Sequence, residues 1–315
     1  MANYFCDLHS HTNLSDGNDT VEELIAAAVR EGVKIFALTD HDVLPPKTII
    51  VDGKEVDTVE YAKSQGVLLV PGVEFSAETL IEDTHMVCLG CDWSSPELKA
   101  IEDEVKQSKV DAYVELLDRL TAKGMPLTLE EVLASRPGVT PDTLQKKMIF
   151  DMIAKKGYTK DWAEAKLMVK ADKSLSVDRK KPDALRVLKA AHDAGGIVIL
   201  AHPYLIAPEV NFGGKMMSRA EYIQILIDNG LDGIEKVYPY HKTSSVEKRP
   251  NEVLYQEIED MYGDKLLISG GSDYHNDAKK GTKNPRVIGE AGVEEPNVNK
   301  ILRKVYGEDF DYKKI

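Results

Sequence analysis

Nine side chains able to ligate a metal ion recur in short blocks along this 315-residue chain. They are His9 and His11 in DLHSHT, Asp16 in SDG, His41 in TDHD and Glu74 in PGVEFS. His85 in THMVCLG, His202 in AHP, and Asp273 with His275 in GSDYH complete the set. Imidazole and carboxylate together suit divalent transition ions, and nine donors exceed what one ion takes. A polynuclear centre is therefore expected. Clustered divalent ions neutralise developing negative charge and lower the pKa of a bound water from about 15.7 to about 7, which is hydrolytic chemistry.

Most of these blocks directly follow a run that reads as a buried strand. Tyr4–Leu8 is the first such run, and Thr20-Val-Glu-Glu23 opens a helix with a capping box that ends at Gly32. Strands are expected at 34–39, 67–73, 85–91, 197–201, 233–237 and 265–269, and helices at 57–65, 182–193, 218–229 and 250–262. The β-α-β order implies parallel pairing. Ile49 to Val56, with its Asp52-Gly53 turn, reads as a small hairpin outside the main sheet. Between 95 and 181 no strand-like run occurs, and the segment reads as a helical insertion between two barrel segments, 1–94 and 182–315. A barrel would bring the ends of distant strands to one rim.

Spacing sharpens the donor list. Residues two apart on an extended backbone face the same way, so His9 with His11, and Asp273 with His275, can each share an ion. The glycine pair before Ser272 is expected to bend the backbone sharply into the site. His85 starts its strand, which leaves its place at the rim unexplained by pattern. Of eight histidines, seven lie at or near expected strand ends and only His192 sits within a helix. Ligating imidazoles also need acceptors that fix the tautomer, and Asp7, Asp40 and Asp42 are available for that role.

Composition, at 43% hydrophobic and 30% charged residues, describes a soluble globular protein. No apolar run approaches the roughly 20 residues of a membrane span, and MANYFCDLHS has no basic or apolar leader region. A cytoplasmic location is expected. Three cysteines argue against a disulfide framework, and Cys88 and Cys91 read as small core residues. A net charge of −13 disfavours long nucleic acids as partners. Eleven Lys or Arg against five Asp or Glu between Lys146 and Lys181 give that segment a balance of +6, which suits a small anionic substrate or a short oligonucleotide.

The ordered series DLHSHTNLSDG, ALTDHD, PGVEFS, His85, LAHP and GSDYH resembles the polymerase and histidinol phosphatase (PHP) family of metal-dependent phosphoesterases, over residues 1–94 and about 185–290. The resemblance implies an α/β fold, a distorted (β/α)7 barrel of the PHP type with an inserted helical domain. It implies two or three divalent ions, Mn, Fe or Zn. His9, His11, Glu74 and Asp273 would hold the first; Glu74, His85 and His202 the second; Asp16, His41 and His275 the third. The insertion, covering the active site, resembles that of the subgroup acting on nucleoside monophosphates, 3′,5′-bisphosphates and short oligoribonucleotides. His241 in VYPYH fits a phosphate-contacting or acid residue, and with Asp273 is the expected catalytic group. The segment Lys47–Asp57 is longer than the family's usual connection. Histidinol-phosphate phosphatase and an amidohydrolase-type hydrolase are the alternatives.

Overall fold

The computed structural model describes residues 2–243 and 247–314. The chain divides into two compact units, Met1–Glu102 with Pro182–Ile315, and Asp103–Lys181.

Among the described residues the first unit has eleven strands: β1 (Cys6–Asp7), β2 (Ile35–Leu38), β3 (Thr48–Val51), β4 (Lys54–Asp57), β5 (Leu68–Ser76), β6 (His85–Leu89), β7 (Ile197–Leu200), β8 (Glu209–Phe212), β9 (Lys215–Ser218), β10 (Gly233–Val237) and β11 (Leu267–Gly270). Seven of them form one sheet in the order β1-β2-β5-β6-β7-β10-β11. Its two ends meet: the Leu8 amide donates to Gly270 O at 3.2 Å and the His11 amide to Tyr274 O at 2.8 Å. The result is a nearly closed barrel of the expected α/β class.

Alternation along the strands sorts side chains between two faces. Ile35, Ala37, Val70, Val87, Leu89, Ile197 and Ile199 form one buried cluster with Val298, Ile301 and Leu302 of the helix Asn297–Tyr306. These are the barrel interior and the helix that closes it. The intervening residues, such as Phe36, Leu38 and Leu69, face outward onto Leu24, Ile25 and Ala28 of the helix Val21–Glu31. Each fully buried Leu or Phe here contributes about 1.5–3 kcal/mol through removal of apolar surface from water. The capping box at Thr20 and Glu23 forms as expected.

Pairing departs from the expected all-parallel pattern at one strand. β6 runs antiparallel to both β5 and β7. The cause is local: residues 77–84 join β5 to β6 without a crossover helix, so the chain turns straight back. Two hairpins stand apart, β3–β4 with the expected Asp52-Gly53 turn and β8–β9.

The helical unit contains helices Leu129–Ala134, Lys146–Lys155 and Trp162–Ala171, packed with Leu116, Leu117 and Leu120 about Ile149, Phe150 and Ile153. Its boundary falls inside the helix Pro96–Ala122. Leu98 and Ile101 of that helix's first turns belong to the core of the barrel unit. Part of the basic segment is internally paired: Lys147 with Asp151 at 3.0 Å, and Lys156 with Glu131 at 2.7 Å.

Candidate metal centre

The strands deliver the chemistry-bearing side chains to one rim. His9 and His11 follow β1, His41 follows β2, His202 follows β7, and Asp273 and His275 follow β11. Glu74 lies inside β5, two residues before its end. His85 opens β6, and because β6 is antiparallel its first residue sits opposite Ser76 at the end of β5. Strand direction thus places His85 at the rim, which the one-dimensional pattern left open.

Glu74 is the hub, fully buried. Its Oε2 lies 3.2 Å from His9 Nε2, 3.3 Å from His11 Nε2 and 2.9 Å from His41 Nδ1. Its Oε1 lies 3.2 Å from His85 Nδ1 and 3.1 Å from His202 Nε2. Each oxygen of one carboxylate therefore faces a different set of imidazoles. Asp273 Oδ1 is 3.1 Å from His11 Nε2 and 3.3 Å from His275 Nδ1, and His275 Nε2 is 2.9 Å from Asp16 Oδ1. Among the described residues three groups of donor atoms could each hold an ion: His9, His11 and Glu74; His41, Glu74 and His85; and His11, Asp16, His41 and His275.

Such crowding is costly without cations. The His11 ring centroid lies 4.2 Å from that of His275 and 4.4 Å from that of His41. Burial, with His275 and His41 nearby, pushes the His11 pKa down to about 3. Burial alone would lower His41 too, but the Glu74 carboxylate overrides it and holds that ring up to about 10. Burial favours a neutral Glu74, yet the surrounding His9, His41 and His85 keep its pKa well below the usual carboxylate range. Several buried atoms also lack an aligned hydrogen bond: His9 Nε2, both nitrogens of His11, His41 Nδ1, His85 Nδ1, His202 Nδ1 and Glu74 Oε2. Buried polar atoms are rarely left so. Lone pairs that converge without partners fit divalent ions.

The PHP domain family matches residues 7–131. Over most of its length the chain is 26% identical to a phosphoribosyl 1,2-cyclic phosphate 1,2-diphosphodiesterase of Eggerthella lenta, covering 85% of this chain and 93% of the relative. It is 31% identical to a 5′-3′ exoribonuclease of Haemophilus influenzae, covering 62% of this chain and 68% of the relative. The chain belongs to the PHP family. A solved structure from Bifidobacterium adolescentis, 23% identical, superposes with a TM-score of 0.66 over 95% of both chains, which supports the barrel fold. This PHP protein is a metal-dependent hydrolase of phosphoric esters.

Around the PHP centre, the three aspartates expected to orient imidazoles, Asp7, Asp40 and Asp42, accept from backbone amides and, for Asp7 and Asp40, from hydroxyls. Asp7 accepts from the amides of Ser272 at 3.0 Å and Gly289 at 2.7 Å. Asp40 accepts from the Thr12 amide at 2.8 Å and from the Ser15 hydroxyl at 2.6 Å, so it ties down the loop carrying Asp16. Asp42 Oδ1 accepts from the Ser76 amide at 2.8 Å. Asp7, two residues before His9, also accepts from the His9 amide at 3.3 Å, while Asp40 and Asp42 flank His41 directly. The acceptors facing the rings are Glu235, 3.2 Å from His9 Nδ1, and the Asp273 carbonyl, 2.8 Å from His275 Nδ1.

Three further residues went unseen in the sequence. Tyr238 donates to Asp273 Oδ2 at 2.8 Å, and Arg286 donates to the same oxygen and to Asp277. They hold one oxygen of Asp273 and leave the other facing the imidazoles. Glu235 is the third, and it had a signal: a buried carboxylate within the strand GIEKV. Arg286 had none, because its partner Asp273 lies 13 residues away in the same irregular connection, with no strand or α-helix to relate the two. His241 is exposed in a short 3-10 turn, with its Nδ1 2.9 Å from Asn251 Nδ2. Among the described residues no hydrogen bond or ion pair joins it to the cluster. Cys6, Cys88 and Cys91 are free and buried, and burial pushes the Cys91 thiol up to about 12. No helix among the described residues is long and apolar enough to cross a membrane.

Proposed function

We propose that the chain hydrolyses the phosphate ester of a small nucleotide-like molecule, a nucleoside monophosphate, a 3′,5′-bisphosphate or a short oligoribonucleotide, with two or three divalent ions. The observation that carries this reading is the division of Glu74, whose two oxygens face separate groups of imidazoles. Glu74 would bridge two ions, with His9, His11 and Asp273 on one side and His85 and His202 on the other. Asp16, His41 and His275 would hold a third. When bound, such ions neutralise the phosphate oxygens and supply an acidic water. Mixed imidazole and carboxylate donors favour Mn²⁺, Fe²⁺ or Zn²⁺ over Mg²⁺.

The protein's own part is positional. Tyr238 and Arg286 fix Asp273 through its Oδ2. Asp40 anchors the loop that presents Asp16. His241, held at Asn251, is proposed to contact the phosphate or protonate the leaving oxygen. The names of the relatives support a nucleotide-like substrate, since one acts on a phosphoribosyl cyclic phosphate and another on RNA. The excess of basic residues between Lys146 and Lys181 points the same way.

A panel of AMP, a 3′,5′-bisphosphate, short RNA, histidinol phosphate and dihydroorotate tests the reading. Phosphate or nucleotide release is expected from one of the first three. A tenfold preference for histidinol phosphate would overturn the nucleotide assignment, and amide turnover without phosphate release would overturn the reaction class. Metal removal is the second test. Dialysis against a chelator should abolish turnover, and Mn²⁺, Fe²⁺ or Zn²⁺ should restore it better than Mg²⁺. Undiminished turnover in rigorously metal-free protein would refute the centre.

A further inference from the structure

One buried carboxylate touches two of the ligand candidates from behind. Glu235 lies in β10, between β7 and β11, and is 3% exposed. Its Oε1 is 3.2 Å from His9 Nδ1, and its Oε2 accepts from the His202 amide at 2.7 Å. The two residues it engages are 193 positions apart in the chain and come from different strands. His202 has φ of 29° and ψ of 60°, an unusual backbone conformation for a residue with a side chain, and it precedes Pro203. The amide that Glu235 holds belongs to this strained residue. His9, on the other side, has Nε2 facing Glu74 with no aligned hydrogen bond, while Nδ1 faces Glu235.

We infer that Glu235 is a positioning residue that sets both halves of the centre, resting on the reading of His9 and His202 as metal ligands. Through Oε1 it holds the proton of His9 on Nδ1, so that the Nε2 lone pair is directed at the ion. Through Oε2 it locks the backbone turn that brings the His202 ring to Glu74. A ring nitrogen that donates to a carboxylate makes its opposite nitrogen a better ligand. Because both oxygens are used, glutamine cannot replace it: an amide has one acceptor oxygen, and its NH2 would confront one of the two donors. Glu235 is buried behind His9 and His202, so it acts through these ligands and its effect is on ion affinity.

The test combines metal titration with NMR. Calorimetry with Zn²⁺ on metal-free protein is expected to show Glu235→Ala and Glu235→Gln each losing about 10–100-fold in affinity for at least one ion. The native Zn²⁺-loaded protein, read by long-range ¹H–¹⁵N correlation, should show His9 protonated on Nδ1 and ligated through Nε2. This measurement needs no folded variant, and ligation through Nδ1 or a protonated Nε2 overturns the inference. So does a folded Glu235→Gln protein with native Zn²⁺ affinity. His9→Ala and His202→Ala separate the two levels. If neither weakens Zn²⁺ binding, the ligand reading itself fails; if both do and Glu235→Gln does not, only the role of Glu235 falls.

Discussion

Glu74→Gln should lower phosphate-ester turnover by about 10³-fold or more, about 4 kcal/mol of barrier, and should strip the protein of bound ions. The substitution keeps the size of the side chain and removes its charge and one of two acceptor oxygens. Five imidazoles approach this carboxylate within 2.9–3.3 Å, three on one oxygen and two on the other. An amide NH2 in place of either oxygen would meet ring nitrogens, or an ion, with a donor. Both halves of the proposed centre would lose their shared ligand at once, which is why the effect should exceed that of any single histidine. Metal content by mass spectrometry and turnover on the preferred substrate measure it, with circular dichroism as the check on folding. A folded Glu74→Gln protein that keeps its ions and turns over within tenfold of the native rate would place the chemistry elsewhere.

The barrel and its rim were legible in the sequence for a simple reason. Buried parallel strands read as short apolar runs, and the few residues after each run lie at the rim, so polar residues there stand out against their surroundings. His41 after IFAL and His202 after IVIL are both of this kind. Strand direction was not legible. Nothing in HMVCL distinguishes an antiparallel strand from a parallel one, and only the missing crossover helix between Ser76 and His85 carries that information. The hairpin β8–β9 was missed although Gly213 and Gly214 sit at its turn, because EVNF and KMMS hold one β-branched residue between them, against four in TIIV of the hairpin that was expected. The helix Asn297–Tyr306 did carry a pattern, with Val298, Ile301, Leu302 and Val305 at helical spacing.

The supporting contacts were the least legible. Asp7, Asp40 and Asp42 neighbour ligand candidates in sequence, yet they serve backbone amides and hydroxyls across the barrel. Glu235 and Arg286, which do hold the site's side chains, lie outside the ligand blocks themselves, one in the middle of β10 and the other 13 residues beyond Asp273. A ligand is presented by its own strand, whereas its support is supplied by whichever neighbour packs behind it. That neighbour is decided by sheet order, which no local window contains.

Gly271→Ala should destabilise the protein by about 1–3 kcal/mol or more and lower its affinity for metal. The glycine pair was expected to bend the chain sharply, but neither Gly270 nor Gly271 takes a positive φ. Their role is close approach. A Cβ on Gly271 would lie 2.2 Å from His9 Cβ, 2.8 Å from His9 N and 3.0 Å from His9 Cα. None of these atoms is the free end of a flexible side chain, so β1 and β11 must separate where the barrel closes. His9 would move with its backbone, away from Glu74 and Glu235. Gly213→Ala provides the contrast: φ is 58° there, but a Cβ meets nothing within 4 Å. Strain alone should cost about 1–2 kcal/mol at that exposed hairpin and leave metal uptake unchanged. Urea midpoints compare the two stabilities, and Zn²⁺ titration compares the centres. If Gly271→Ala binds Zn²⁺ as the native protein does, the contact between the barrel's closing strands does not position His9.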